Sequence, residues 1–150
     1  MQIIKDKQII DDSWRYISDD AELKAGNITV PLARWQQDKQ QLLESDGPLG
    51  VRISATDSVA DIAIDLKNLQ LIELDFPSFA DGRLFSQAWL LRRRYGYQGE
   101  IRAVGHYMPD QVFYLSRVGV NAFKPDEAER LTVELSHLND FTVNYQESVN

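Results

Sequence analysis

From Gly50 onward, short apolar runs alternate with segments in which apolar residues recur at the spacing of an α-helix. Runs rich in β-branched and apolar residues predict strands at residues 51–54, 69–76, 100–106 and 120–124. The helices between these strands are predicted from capping residues, opening prolines and terminating glycines. They span about 58–69, 84–96, 109–119 and 125–138.

The N-terminal third has a weaker pattern. The pairs at residues 3–4 and 9–10 are isoleucines that flank four polar residues, a spacing that predicts a hairpin or two short edge strands. Residues 27–30 indicate a strand or a helix N-cap region, and Pro31 is suited to open an amphipathic helix that runs to about Ser45. A further strand is predicted at residues 141–145, where it would close or edge the sheet.

This alternation of strands and helices is typical of an α/β protein. No composition break or linker divides the chain, so we expect a single domain over residues 1–150. Its predicted architecture is a mainly parallel sheet of four or five strands built from βα units, with a short N-terminal strand or hairpin added. The period is compatible with an open sheet and with an incomplete barrel. We favour the open sheet, because eight strands would not fit in this length.

Composition narrows the functional classes. The net charge of −7 argues against general binding to nucleic acids or anionic membranes, since phosphate affinity requires clustered Lys and Arg. The absence of cysteine excludes a disulfide scaffold, thiolate-held metals and a cysteine nucleophile. No signal-peptide core and no segment of membrane-spanning length is present. We therefore expect a cytoplasmic protein with neither nucleic-acid nor membrane partners.

Polar residues after two predicted strands form a candidate ligand site. In parallel α/β sheets, ligands bind at the carboxyl ends of strands. Asp81, Gly82 and Arg83 precede a predicted helix, where free N–H groups and the Arg83 guanidinium would hold a small oxyanion. Asp110 and Gln111 follow the next strand and are expected at the same rim. The alternative is that Asp81 only caps the helix while Arg83 pairs with a nearby acid.

His106 stands at the end of the strand predicted at 100–106 and is the candidate catalytic acid or base, with Asp110 as a second candidate. The alternative is a histidine that only donates a hydrogen bond at the rim. No cluster of other ligands accompanies it at metal-binding spacing, so we expect no metal site. No cofactor-binding motif is present either, and we expect no cofactor.

Charged residues also occur inside the predicted strands. Glu73 and Asp75 share one face of the strand at 69–76, and Arg102 lies within the strand at 100–106. Charged side chains are rarely buried without partners, so these residues predict one buried ion-pair network. Such a network would either tune a site or serve structure alone.

Arg92, Arg93 and Arg94 make part of the chain locally basic. Residues 81–117 hold six arginines against three acids, a net charge of +3, whereas the remainder carries −10. This contrast predicts a docking face for an acidic partner. The alternative is a solvated helix end, where arginines interact favourably with the helix dipole.

Residues 76–123 carry several short motifs that together resemble a known family. They are Phe-Pro-x-Phe-x-Asp-Gly-Arg, Leu-Leu-Arg before Gly-Tyr, Gly-Glu-x-Arg-Ala-x-Gly, and Asp110-Gln111. The segment resembles a bacterial family of unknown function labelled as oxidoreductases of sulfite reduction. In that family Asp is frequent at position 106 and Cys-Gly-Phe at 118–120, whereas this chain has His106 and Val-Gly-Val. A thiol is therefore not required here.

The resemblance implies a role in assimilatory sulfur metabolism. We expect an accessory protein that docks on a sulfur-metabolism reductase, either sulfite reductase or phosphoadenylylsulfate reductase. The alternative function is a small oxyanion-binding enzyme that uses Arg83, with Asp81, Asp110 and Gln111 orienting the ligand and His106 as acid or base.

Overall fold

The structure is a computed structural model that describes residues 1–77 and 82–149, with side chains described up to residue 139. The described residues form an α/β domain. Its eight strands are β1 (Gln2–Lys5), β2 (Gln8–Asp11), β3 (Arg15–Tyr16), β4 (Ile28–Pro31), β5 (Leu49–Ser54), β6 (Leu71–Phe76), β7 (Glu100–Gly105) and β8 (Ala122–Pro125). Its α-helices are α1 (Leu32–Leu43), α2 (Gly82–Arg93), α3 (Val112–Arg117) and α4 (Arg130–Val149), and 3₁₀ helices span Val59–Asn68 and Pro109–Gln111.

All eight strands belong to one mixed sheet, in the order β2-β1-β8-β7-β6-β5-β4-β3. Strands β3 to β8 pair in parallel with one another, whereas β1 pairs antiparallel with both β2 and β8. The predicted sheet of four or five mainly parallel strands is therefore wrong. The described strands are only two to six residues long, so eight of them fit in a chain of this length.

The sheet is curled into a half-barrel. Strands β2 and β3 lie at its two edges, yet only residues 12–14 connect them. Four residue steps reach at most about 14 Å, whereas eight flat strands would span about 34 Å. The preference for an open sheet is thus also wrong. Because consecutive parallel strands are neighbours, right-handed crossovers place their connecting helices on one face of the sheet.

The outer face of the sheet packs against these helices and forms the apolar core. Alternate residues of β6, such as Leu74 and Phe76, point to this side and are fully buried. Trp35 of α1 is also fully buried, and its indole N–H donates to Asp65 Oδ2 at 3.0 Å. The core thus lies between the sheet and its helices, whereas the inner face of the curl contains the charged side chains of β5 to β8.

The N-terminal predictions agree closely with the structure. The predicted hairpin is confirmed as β1 and β2, and Asp6 and Lys7 in its turn adopt the positive φ angles that two-residue hairpin turns require. The strand predicted at 27–30 is β4, and α1 begins directly after Pro31. Strand β3 was not predicted, because its two residues are too few to show a period.

Three predictions near the helices need correction. The helix predicted from Pro109 is divided into a 3₁₀ turn and α3, the segment at 58–69 is 3₁₀ rather than α, and α4 begins at Arg130. Residues 141–145 lie within α4 and do not form a strand. Strand β1 pairs with β8 at the position where a C-terminal strand would have closed the sheet.

Candidate functional site

Charged side chains cross the inner face of the curl in register. Arg52 of β5 stands beside Glu73 of β6, which stands beside Arg102 of β7. Neighbouring parallel strands in this register place their alternate side chains on the same face. Both Glu73 and Arg102 are buried. The inner face therefore has an ionic interior, in contrast to the apolar outer face.

Glu73 is the acceptor at one end of this network. Thr29 Oγ1 donates to Glu73 Oε1 at 2.7 Å, and Arg52 Nε donates to the same oxygen at 3.1 Å. The Arg52 guanidinium also lies 3.7 Å from the centre of the Tyr16 ring, a cation–π contact. Tyr16 in β3 thus covers the inner face from the sheet edge.

Arg102 is the centre of the network and is 1% exposed. Its Nε and Nη2 contact Glu100 Oε2 at 2.9 and 2.7 Å, and its Nη1 donates to Asp12 Oδ1 at 3.0 Å. Nη1 also lies 4.0 Å from Glu73 Oε2. The predicted network between Glu73 and Arg102 is confirmed, whereas the ion pairs described for Arg102 do not include Asp75.

Asp12 joins two cations from neighbouring strands. Its Oδ1 contacts Arg102, and its Oδ2 accepts from Lys124 Nζ at 2.9 Å. The backbone N–H of Trp14 also donates to Oδ1, at 2.9 Å. Burial by itself raises the pKa of Asp12, but the hydrogen bonds from Lys124 and Trp14 and the Arg102 charge bring this pKa below its usual value. Asp12 is therefore held as a carboxylate.

A second group of titratable residues lies at the carboxyl ends of β6 to β8. His106 Nδ1 is 2.8 Å from Asp126 Oδ2, and both side chains are substantially exposed. Asp75 is partly buried, and burial is the main reason that its pKa is raised. The charges of His106 and Arg52 act in the opposite direction. A histidine oriented by a carboxylate, next to a carboxyl group with a raised pKa, is an arrangement suited to proton transfer.

Gly105 brings the backbone of β7 close to Asp75. A Cβ atom at position 105 would lie 2.5 Å from the Phe76 carbonyl oxygen and 2.8 Å from Asp75 Oδ1. Its φ of +88° also lies in the region that favours glycine. Glycine here lets the chain turn directly toward His106 at the rim.

The predicted oxyanion residues follow adjacent parallel strands, and the convergence of their side chains stays a prediction. Gly82 and Arg83 are exposed at the beginning of α2, after β6, and Asp81 lies outside the described residues. Asp110 is exposed in the turn after β7. The Gln111 side-chain oxygen accepts from the Met108 N–H at 2.7 Å and thereby stabilises the turn at residues 108–111.

The three arginines predicted to dock a partner differ in their surroundings. Arg92 donates to the carbonyl oxygens of Tyr97, Gly99 and Gly119 at 2.8 to 2.9 Å. It therefore ties the end of α2 to the chain on both sides of β7. Arg93 and Arg94 are exposed.

Sequence reasoning found some members of the inner network and missed others. Arg52 and Lys124 lie inside predicted strands, so the signal that identified Glu73 and Arg102 applied to them as well. Asp12 is 90 residues from Arg102 and lies in a connecting segment. No local pattern distinguishes it from other loop aspartates.

The residues that the structure describes contain no group of three or more His, Cys, Asp or Glu residues placed to hold a metal ion. Among the helices that the structure describes, none has both the length and the apolar character needed to cross a membrane.

A known protein family matches the larger part of the chain. The model of a family described as bacterial protein of unknown function (DUF934) matches residues 50–150, two thirds of the chain. No curated protein matches the sequence. The matched part begins at the second residue of β5 and continues through β8, and Asp12, Tyr16 and Thr29 lie outside it.

Proposed function

The chain belongs to the DUF934 family of bacterial proteins of unknown function, and we propose that it is an accessory protein of assimilatory sulfate or sulfite reduction. The family assigns no role, so the proposal is argued from this chain's own residues. In this proposal it docks on an acidic surface of sulfite reductase or phosphoadenylylsulfate reductase in the cytoplasm. The motifs at residues 76–123 support the link to sulfur metabolism, through their resemblance to proteins labelled for sulfite reduction. A chain without cysteine is also suited to a reducing compartment.

The exposed face of α2 is the observation that carries the docking proposal. Trp89 is 50% exposed on this helix, although it is a large aromatic residue. Arg93 follows four residues later and therefore lies one turn along the same helix face. Tryptophan and arginine are enriched among the residues that contribute most to protein binding. Together with Arg94, these residues form the docking face of the proposal.

Arg92 supports this face without belonging to it. Its hydrogen bonds to three carbonyl oxygens hold the end of α2 in place. A rigid surface loses less conformational entropy when a partner binds. The arginines to test are therefore Arg93 and Arg94, and replacement of Arg92 would confuse binding with stability.

The test measures the affinity of the protein for each purified reductase at several ionic strengths. We expect the double variant Arg93→Gln/Arg94→Gln to bind about tenfold more weakly, and its affinity to depend less on salt. The matched control removes two exposed cations of the N-terminal third, as Arg15→Gln/Lys24→Gln, and retains binding. Trp89→Ala weakens binding at all salt concentrations. If neither reductase binds the unchanged protein, the docking proposal is wrong.

A second function, an oxyanion-binding enzyme, is favoured by the group at the carboxyl ends of the strands. The observation in its favour is the contact between His106 and Asp126, beside the partly buried Asp75. Arg83 at the beginning of α2 supplies a guanidinium that binds two oxygens of one anion. His106 would exchange a proton with the bound ligand.

Calorimetric titration with sulfite, sulfate and phosphate tests this second function. Arg83→Ala should lower the affinity by more than about tenfold, whereas Arg83→Lys should restore only part of it. His106→Gln should lower the affinity for the anion and leave the fold intact, because the His106 side chain is 58% exposed. If the unchanged protein binds none of these anions and Arg83→Ala unfolds it, Arg83 is a structural residue and the accessory role is favoured.

A further inference from the structure

The Asp12 carboxylate lies among donors that come mainly from two distant strands, β7 and β8. Its two oxygens contact Arg102 of β7 and Lys124 of β8, at 3.0 and 2.9 Å. The Trp14 N–H is a third donor. Three converging donors, two of them charged, match the chemistry of a receptor for a small oxyanion. The side chains of Arg102 and Asp12 are only 1% and 4% exposed, so the contact is shielded from water.

The partners of the two cations show why this position needs an anion. Glu100 accepts from Arg102 Nε and contacts Nη2, but its described contacts do not include Nη1. For Lys124, the ion pair described is with Asp12 alone. Without the Asp12 carboxylate, Lys124 and Nη1 of Arg102 would lose their closest anion. Arg102 would keep Glu100 at 2.7 Å, but two cations would then converge on a position that no carboxylate occupies, and this favours the binding of another anion there.

Asp12 lies on a short segment between the two edge strands of the sheet. We name residues 12–16 the crossing segment, since it leads from the end of β2 at one edge of the curl into β3 at the other edge. Its backbone N–H groups bond from Asp12 to the Met1 carbonyl and from Arg15 to the Asn27 carbonyl, and the buried Ile17 anchors the chain directly after it. Ser13 and Arg15 are exposed. Lys124 is 27% exposed, so solvent reaches one side of the anion position.

We propose that Arg102 and Lys124 form a binding site for a small oxyanion, and that the Asp12 carboxylate occupies this site until such an anion displaces it. The site lies inside the curl, away from the docking face on α2, and is independent of the accessory role. Asp12 competes with the ligand, so the unchanged protein binds the anion more weakly than a protein without this carboxylate. Displacement also releases the crossing segment from the inner face.

The first experiment asks whether the site accepts an external anion. Asp12→Ala removes the carboxylate, and formate is the probe because it has the same planar pair of oxygens. Thermal unfolding is measured with formate and with chloride at equal ionic strength. We expect formate to raise the midpoint of Asp12→Ala more than that of the unchanged protein, and chloride to have no such effect.

Two variants make this result specific. Asp11→Ala removes the adjacent exposed carboxylate of β2 and should respond to formate as the unchanged protein does. Asp12→Ala/Lys124→Gln should lose the response. If Asp12→Ala does not fold, Asp12→Ser is measured in its place. An equal response of Asp11→Ala and Asp12→Ala to formate overturns the oxyanion site.

The second experiment asks whether an anion displaces Asp12 in the unchanged protein. Sulfite and phosphate are the probes, and trypsin cleavage after Arg15 is followed by mass spectrometry. We expect either anion to increase this cleavage several-fold relative to cleavage after Lys67, an exposed lysine outside the crossing segment. An unchanged ratio of the two cleavages means that Asp12 stays bound and overturns the displacement.

Discussion

The two faces of the curled sheet are both buried but are stabilised differently. On β6, Ile72 and Leu74 point outward into an apolar core, whereas Glu73 points inward to Arg52 and Thr29. Apolar contact is not directional, so the outer face depends on volume and burial. The inner face depends on individual charged partners, each of which leaves another unpaired when it is removed. Neighbouring residues of one strand are therefore expected to respond to substitution in different ways.

Removal of the central cation should have the largest effect. Arg102→Met leaves Asp12 and Glu100 without their buried partner, and should lower the free energy of unfolding by about 3 to 5 kcal/mol. Urea denaturation measures this loss. The double variant Arg102→Met/Glu100→Gln should lose less than the sum of its two single changes, since it also removes one stranded charge. A loss below about 1 kcal/mol for Arg102→Met would contradict the ionic description of the inner face.

Truncation on the outer face should come next. Leu74→Ala leaves a cavity in the core and should cost about 3 kcal/mol in the same assay. Leu74→Met nearly conserves the volume and should cost less than about 1.5 kcal/mol. This tolerance distinguishes the outer face, because no conservative change preserves the charged contacts of Arg102. Equal losses for the two Leu74 variants would remove the distinction.

A smaller effect is expected at the end of α2. Arg92→Gln leaves carbonyl oxygens of Tyr97, Gly99 and Gly119 without their donor and should cost about 1 to 3 kcal/mol. Arg93→Gln changes an exposed residue and should stay within about 0.5 kcal/mol of the unchanged protein. Chemical denaturation of both variants checks this contrast. Similar losses would mean that Arg93 also supports the fold and is not reserved for docking.

The smallest effects concern pH and have opposite signs on the two faces. The pKa of Asp12 is lowered in the folded protein, so its contribution to stability is present at neutral pH and is lost as the pH falls below the usual value of 3.8. Burial raises the pKa of Glu134, which accepts from the Tyr107 hydroxyl at 2.7 Å. Its contribution is therefore present at low pH and is lost as the pH rises above the usual value of 4.5.

Unfolding measured across pH with Asp12→Asn and Glu134→Gln tests these two signs. Relative to Asp12→Asn, the unchanged protein should lose stability on acidification. Relative to Glu134→Gln, it should lose stability as the pH rises toward neutrality. The same sign for both differences would contradict the assigned pKa directions.

Local pattern predicted much of the secondary structure. Short runs of β-branched and apolar residues identified β5 to β8, and paired isoleucines identified the β1–β2 hairpin. Charged residues within the strands predicted a buried network of Arg102 with Glu73 or Asp75, and the structure pairs Arg102 with Glu73. These features depend on near neighbours in the chain, which a short window of sequence contains. Residues 141–145 are rich in β-favouring residues and therefore predict a strand, but they lie in α4. The edge of β8 that such a strand would pair with is already occupied by β1.

The sequence by itself determined that the chain forms an α/β domain, which segments form β1, β2 and β4 to β8, and that β6 and β7 carry buried charge. Only the tertiary structure decided the number of strands, the curl, and the position of Asp12 between Arg102 and Lys124. Asp12 is 90 and 112 residues from these two partners, so their contact depends on how the sheet edges meet. The three-residue connection between β2 and β3 brings those edges together. The alternation of residues along a strand indicates which face of the sheet a side chain points to. Which side chains meet on the inner face depends on how the chain curls the sheet and brings its two edges together.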